Sequence, residues 1–212
     1  MSARQARHQR HSQPTSDGSR FARTRTGGVK KVTAKSDWQA GGNDTTCVAD
    51  RTWGSVSVTR CTTYVRSVDV FIVTDHMTAA KITGKKARRA AAPRVVTERF
   101  QLPPGIGATG NGDLLTLQAG DKRMDMYRSG PVGWSVQAAR KGSNVGWFTG
   151  KWGEKLPGAV VSRAVPLSVR GDAQTAVTVF VPRTDGESVP VTIDANGVTV
   201  ARGAGTVTTP LP

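Results

Sequence analysis

The sequence predicts an all-β domain, a sandwich or a barrel, preceded by an unfolded cationic arm. Three observations carry that expectation. Gly, Thr, Ser and Val are abundant while the hydrophobic fraction is only 37%, a mixture that favours short strands and many turns over long helices. Apolar residues alternate with polar ones in short runs broken by Gly, Pro, Asn and Asp, the pattern of half-buried strands. The first 36 residues hold nine Lys or Arg against one acid.

That first stretch contains Arg4, Arg7, Arg10, Arg20, Arg23, Arg25, Lys30, Lys31 and Lys35, with Asp17 as the single acid, for a local charge of +8 out of +15 in the whole chain. Its only large apolar side chain is Phe21. Such a segment cannot bury enough apolar surface to offset its ordering entropy, so it is expected to be disordered by itself. It has no apolar core of the kind a secretory signal needs; an Arg- and Ser-rich transit peptide is the other segment with this composition. A cationic arm on a folded body points to a polyanionic partner, most often nucleic acid. Residues 37–212, 176 in number, suffice for one domain with its own core.

The elements follow in order. Val56 and Val58 alternate with Ser and Thr, and the pattern continues to Val65. Val68, Val70 and Ile72 share one face while Phe71 and Val73 take the other, as in a strand buried on both sides. The region from His76 to Ala80, extending to Ala92, is the best helix candidate; Pro93 ends it, and Thr83 and Gly84 weaken it. Further strands are expected at Val95–Leu102, stopped by Pro103-Pro104-Gly105, at Leu114–Leu117, at Trp134–Ala138, at Val165–Val169 and at Ala176–Val181. Val191 and Ile193, then Val198 and Val200, flank Asp194-Ala195-Asn196-Gly197, and Asn-Gly between alternating apolar runs is a strong hairpin signal. The count comes to roughly eight to ten strands.

The motifs that could carry chemistry have plainer readings beside them. Gly105-Ile106-Gly107-Ala108-Thr109-Gly110 matches a dinucleotide fingerprint in letters. That motif needs a strand before it and a helix after it, whereas prolines precede it and Asn111-Gly112-Asp113 follows; a Gly-rich loop between strands is expected. His76 is the only histidine of the body, and no nucleophile elbow accompanies it, so a surface or capping role is expected and no catalytic residue is assigned. Cys47 and Cys61 form no metal-binding pattern and read as two free, partly buried thiols in a reducing compartment. Asp44, Asp50, Asp69 and Asp75 are the acids a Ca²⁺ ion between subunits would draw on; their spacing does not demand it, and no cofactor or metal is expected. Trp38, Trp53, Trp134, Trp147 and Trp152 suit core or interface packing more than base stacking, although Trp147-Phe148 and Trp152 flank Lys151. No span is long and apolar enough for a membrane, the longest apolar stretch being the charge-interrupted Val68–Val73.

A second cationic focus lies within residues 81–99, net +6, around Lys85, Lys86, Arg88 and Arg89. It reads equally as a solvated loop or as a second polyanion contact, since spacing alone does not separate the two. Phosphate contacts by Lys and Arg release condensed counterions and are nearly blind to base sequence, which suits packaging better than recognition.

The arm from Arg4 to Lys35 and the strand ladder from Val56 to Val200 together resemble the coat proteins of small icosahedral positive-strand RNA viruses, plant viruses in particular. The resemblance is architectural, spans the whole chain and rests on no family motif. It implies an eight-stranded jelly-roll sandwich over residues 37–212 that assembles with many copies of itself. It also implies single-stranded RNA bound by inward-facing arms over residues 1–36, and a life in the virion and, during assembly, the host cytoplasm. A nucleic-acid-binding β-barrel module that forms no shell is the competing expectation.

Overall fold

The computed structural model describes residues 15–16, 31–36, 43–49, 56–79, 94–151, 153–167 and 173–211. Strands account for nearly all of its regular structure. The first five are β1 (Thr15–Ser16), β2 (Lys31–Ser36), β3 (Asp44–Ala49), β4 (Val56–Val65) and β5 (Val70–Ala79). Next come β6 (Arg94–Leu102), β7 (Gly107–Asn111), β8 (Leu114–Ala119), β9 (Lys122–Arg128), β10 (Ser135–Ala138), β11 (Trp147–Phe148) and β12 (Leu156–Pro157). The last are β13 (Ala159–Leu167), β14 (Ala173–Arg183), β15 (Val191–Asp194), β16 (Gly197–Arg202) and β17 (Gly205–Thr209). A 3₁₀ turn, Arg66–Val68, joins β4 to β5.

The expected all-β sandwich is present. An eight-stranded sheet runs β2-β3-β4-β5-β14-β9-β8-β7, and a four-stranded sheet runs β1-β6-β13-β10. Every pairing in both is antiparallel. The larger sheet is two meanders, β2 to β5 and β7 to β9, joined across β14. A three-stranded sheet (β15-β16-β17) and the small β11-β12 ladder complete the set.

The period-2 pattern decides which residues meet. On one face of the large sheet, Val56, Val58, Met77, Ala79 and Ala176 pack against Val96 and Leu167 of the small sheet. Further along that layer Phe100, Leu102, Leu115, Leu117, Met126 and Val161 form a second cluster. On the opposite face Val65, Val70, Ile72, Val177, Val179 and Val181 pack against Val198 and Val200 of the three-stranded sheet. The two-sided burial expected for the Val70–Val73 stretch is therefore real, except that Phe71 remains 38% exposed. Arg202 ties the three-stranded sheet down. It donates to the carbonyls of Val68 (2.9 Å) and Pro182 (2.8 Å) and to Glu187 (2.8 Å).

Several expectations change. The helix candidate begins inside β5: His76–Ala79 is strand, held by β4 on one side and β14 on the other. Tertiary pairing outweighs the local propensity there; residues 80–93 lie outside the described residues. The Gly-rich motif is not a loop throughout. Gly107–Asn111 is β7, paired with β8, and Gly110 has φ +121 with no room for a Cβ, which would meet the Leu114 carbonyl at 2.6 Å. Two pieces of the stretch expected as an unfolded arm are strands, β1 on β6 and β2 on β3; the rest of residues 1–36 lies outside the described residues. Cys47 and Cys61 are not free thiols. They face each other across β3 and β4 and form a disulfide, Cα to Cα 4.0 Å. Direct opposition in an antiparallel ladder brings the two Cβ atoms within bonding reach.

Candidate functional site

Three places in the described structure are candidates for function: two gather ionisable side chains, and one is a largely apolar cleft. The first is sealed between the two main sheets. Asp75 of β5 and Glu98 of β6 are both 0% exposed. Arg60 of β4 grips both oxygens of Asp75, Nε to Oδ1 at 2.7 Å and Nη2 to Oδ2 at 2.5 Å. Arg163 of β13 donates to Glu98 through Nε, and to the carbonyls of Ser129 (2.7 Å) and Val177 (3.0 Å). Its guanidinium also lies 5.1 Å from the Trp134 ring centroid. The alternation that makes β5 and β6 strands aims both carboxyls inward, so two chains of charge meet head to head.

Glu98 Oε1 receives no N–H or other donor. Burial, and then the neighbouring Asp75 carboxyl, push the Glu98 pKa up to about 7 against the pull of Arg163. A proton held by Glu98 and donated to Asp75 satisfies the otherwise unpartnered Oε1, because burial beside a second carboxyl disfavours the charged form of Glu98. Both groups of this pair are wholly buried. Its chemistry is to hold the sheets together in a pH-dependent way.

The second place is an open cleft of about 340 Å³ beside that network, walled by Phe71, Val73, Phe100, Met124 and Phe180, with Arg60 among its lining residues. Phe100 stacks edge-on against Phe180 at 5.2 Å and against Trp134 at 6.0 Å. Arg60 is already neutralised by Asp75, so the cleft is an apolar feature.

The third is the excursion between β10 and β13. Ala139 N–H donates to Gly158 O (2.9 Å) and Gly158 N–H to Gly146 O (2.9 Å), which pinches the loop at its neck. Gly146 has φ +84, and a Cβ there would sit 2.5 Å from Ala139 N. Beyond the neck, β11 and β12 pair Trp147 with Pro157 and Phe148 with Leu156. The indole N–H of Trp147 donates to Ser143 O (2.8 Å), and the Lys155 ammonium lies 4.5 Å from its ring centroid. Arg140, Lys141, Lys151 and Lys155 are all exposed on this excursion.

The residues expected to contact nucleic acid fall as follows. Lys31 and Lys35 are on β2, in register with Ala49 and Thr45. Arg4, Arg7, Arg10, Arg20, Arg23, Arg25, Lys30, Lys85, Lys86, Arg88 and Arg89 lie outside the described residues. His76 is exposed on β5, its Nδ1 3.1 Å from Thr175 Oγ1. The acids considered for Ca²⁺ are dispersed: Asp44 pairs with Arg66, Asp69 accepts from Tyr64 Oη at 2.9 Å, Asp75 is sealed, and Asp50 lies outside the described residues. Trp134 packs in the core as expected; Trp38, Trp53 and Trp152 lie outside the described residues. Sequence reasoning misses the sealed carboxyl pair, since its partners come from strands far apart in the chain. The β10–β13 excursion carries a partial signal in its Trp147, Phe148 and Lys151.

No protein-family model matches the chain, and no curated protein does. Solved structures do match in fold. Heparan sulfate lyase HepC from Pedobacter heparinus superposes with a TM-score of 0.64 at 10% identity, over 86% of this chain and 28% of that one. A heparinase III gene product gives 0.58 at 16%, over 86% and 28%. A further heparinase III gives 0.59 at 14%, over 84% and 26%. The chain thus spans little more than a quarter of the length of the lyases it matches, and at these identities the likeness is one of fold.

Proposed function

We propose that this chain is a β-sandwich module that binds a sulfated polysaccharide and serves a lyase-type protein as its non-reacting portion, with bond cleavage supplied by a separate domain. The observation that carries this reading is the fold match along most of the chain to about a quarter of heparan sulfate and heparin lyases. Charge supports it: +15 over 212 residues gives a strong field for polyanions. The Cys47–Cys61 disulfide supports it too, since such bonds persist in oxidising compartments outside the cytosol. The sealed Asp75–Glu98 pair is in keeping with a scaffold, because ionisable groups that act on a polymer must touch it.

A second reading, an RNA-packaging coat protein, draws on a different observation, the +8 charge of residues 1–36. One experiment separates the two. The oxidised chain is mixed in parallel with heparan sulfate and with single-stranded RNA, then sized by gel filtration and imaged in negative stain. The module reading expects co-elution with heparan sulfate and small complexes only. Closed particles formed on RNA, with no retention of heparan sulfate, would reverse the order of the two readings.

A further inference from the structure

The described arginines of the body are mostly spoken for. Arg60, Arg66, Arg123, Arg128, Arg163, Arg183 and Arg202 each face a carboxylate. The β10–β13 excursion breaks that pattern. Arg140, Lys141, Lys151 and Lys155 are exposed within sixteen residues of chain, Glu154 is the only acid among them, and none of the four forms an ion pair among the described residues. Unneutralised cations repel one another, so clustering them costs stability unless something else offsets it.

The cluster is also held in shape. The turn at Arg140–Ser143 is closed by the Ser143 N–H on Arg140 O (3.0 Å), and that at Lys151–Glu154 by the Glu154 N–H on Lys151 O (3.1 Å). Trp147 links the two turns. Its N–H reaches Ser143 O on one side, while Lys155 covers its ring on the other. The glycine-pinched neck ties the excursion to the edge of the small sheet at Ala139, Gly146 and Gly158. A loop held in this way, whose four cations form no ion pair among the described residues, loses little further ordering entropy when an anionic chain docks.

Resting on the polysaccharide-binding reading, we propose that the β10–β13 excursion is the contact site for sulfate groups, with Arg140, Lys141, Lys151 and Lys155 as the binding cations and Trp147 as the residue that positions Lys155. A sulfated polysaccharide suits this geometry better than single-stranded nucleic acid. Strand-binding proteins offer open aromatic faces for bases, whereas a Trp147 face here is taken by Lys155. Sulfates ask only for cations in place.

The test uses the full oxidised chain and a heparin oligosaccharide as probe, with affinity followed across a salt series. Two charge-matched variants are compared: R140Q/K141Q/K151Q/K155Q, and R4Q/R7Q/R10Q/R20Q. The loop variant is expected to weaken binding by about tenfold or more and to lower the log–log salt slope by about 3, at roughly 0.7–0.9 per lost contact. The variant in residues 1–36 is expected to change far less. All substituted body positions are exposed, and an unchanged thermal transition confirms folding. Equal losses in both variants would mean diffuse net charge and overturn the site. A loop variant that binds like the parent also overturns it, while leaving the module reading intact. A parent chain that binds single-stranded RNA of matched charge but no heparin overturns the site and the module reading together.

Discussion

The substitution Glu98→Gln should make this protein insensitive to a pH change that weakens the parent. In the parent, Glu98 is wholly buried against Asp75, and its pKa is lifted to about 7 from an ordinary 4.5. The folded state therefore holds a proton that the unfolded state releases over that interval. Stability from this proton is fully present below about pH 4.5 and is lost as pH rises to 7 and beyond. The span corresponds to about 3 kcal/mol, at about 1.4 kcal/mol per pH unit of displacement. For a chain of this size that is a fall in Tm of about 6–12 °C. An amide in place of the carboxyl would keep the arrangement without a titrating proton. Its carbonyl accepts from Arg163, and its NH₂ donates to Asp75. Thermal unfolding of both proteins between pH 5 and pH 8 measures the difference. The parent should lose stability across the window while the variant stays flat, so that the variant is the more stable at pH 8. Parallel profiles would show that Glu98 holds no extra proton in the folded state, and the account of this network would fail.

Other expectations follow from single contacts. Reducing the Cys47–Cys61 disulfide, or changing both cysteines to Ser, removes a cross-link spanning 14 residues and should cost about 3 kcal/mol; thiol titration of the native oxidised protein should find no free sulfhydryl, and finding two would contradict the pairing. Arg202→Ala removes five hydrogen bonds, two to Glu187 and one each to the carbonyls of Val68, Asp69 and Pro182, and should cost about 2–3 kcal/mol; hydrogen exchange should speed in β15 to β17 before it does in β4 and β5. Gly110→Ala forces a Cβ against the Leu114 carbonyl at φ +121 and should cost more than about 1 kcal/mol, read as a lower denaturant midpoint; no change would mean that the β7–β8 hairpin is not built as described.

Much of the sandwich can be read from local pattern. Val56–Val65, Arg94–Leu102 and the Val191–Arg202 hairpin announce themselves through alternation and turn chemistry, and each is a strand or hairpin in place. What alternation cannot show is which charged residues turn inward. Lys122–Arg128 reads as a polar segment, yet it is β9, with Asp125 held by Arg183 at 2.6 Å and Arg128 bonded to Gly112 O at 2.9 Å. Glu98 and Arg163 are 65 residues apart, and only the pairing of β6 with β13 brings them together. The disulfide is hidden for a related reason. Asp44–Ala49 is short and shows no apolar–polar alternation, so the pattern does not single it out as a strand that would set Cys47 opposite Cys61. The candidate site is half legible. Its aromatic and cationic residues stand out, but that these cations form no ion pair among the described residues emerges only from the folded arrangement.

Calorimetric titration of the full oxidised chain with a heparan sulfate oligosaccharide, beside the same oligosaccharide stripped of sulfate, bears most directly on the polysaccharide reading. Saturable binding that disappears with the sulfates is the predicted result. No binding to either sugar, or equal binding to both, would contradict it.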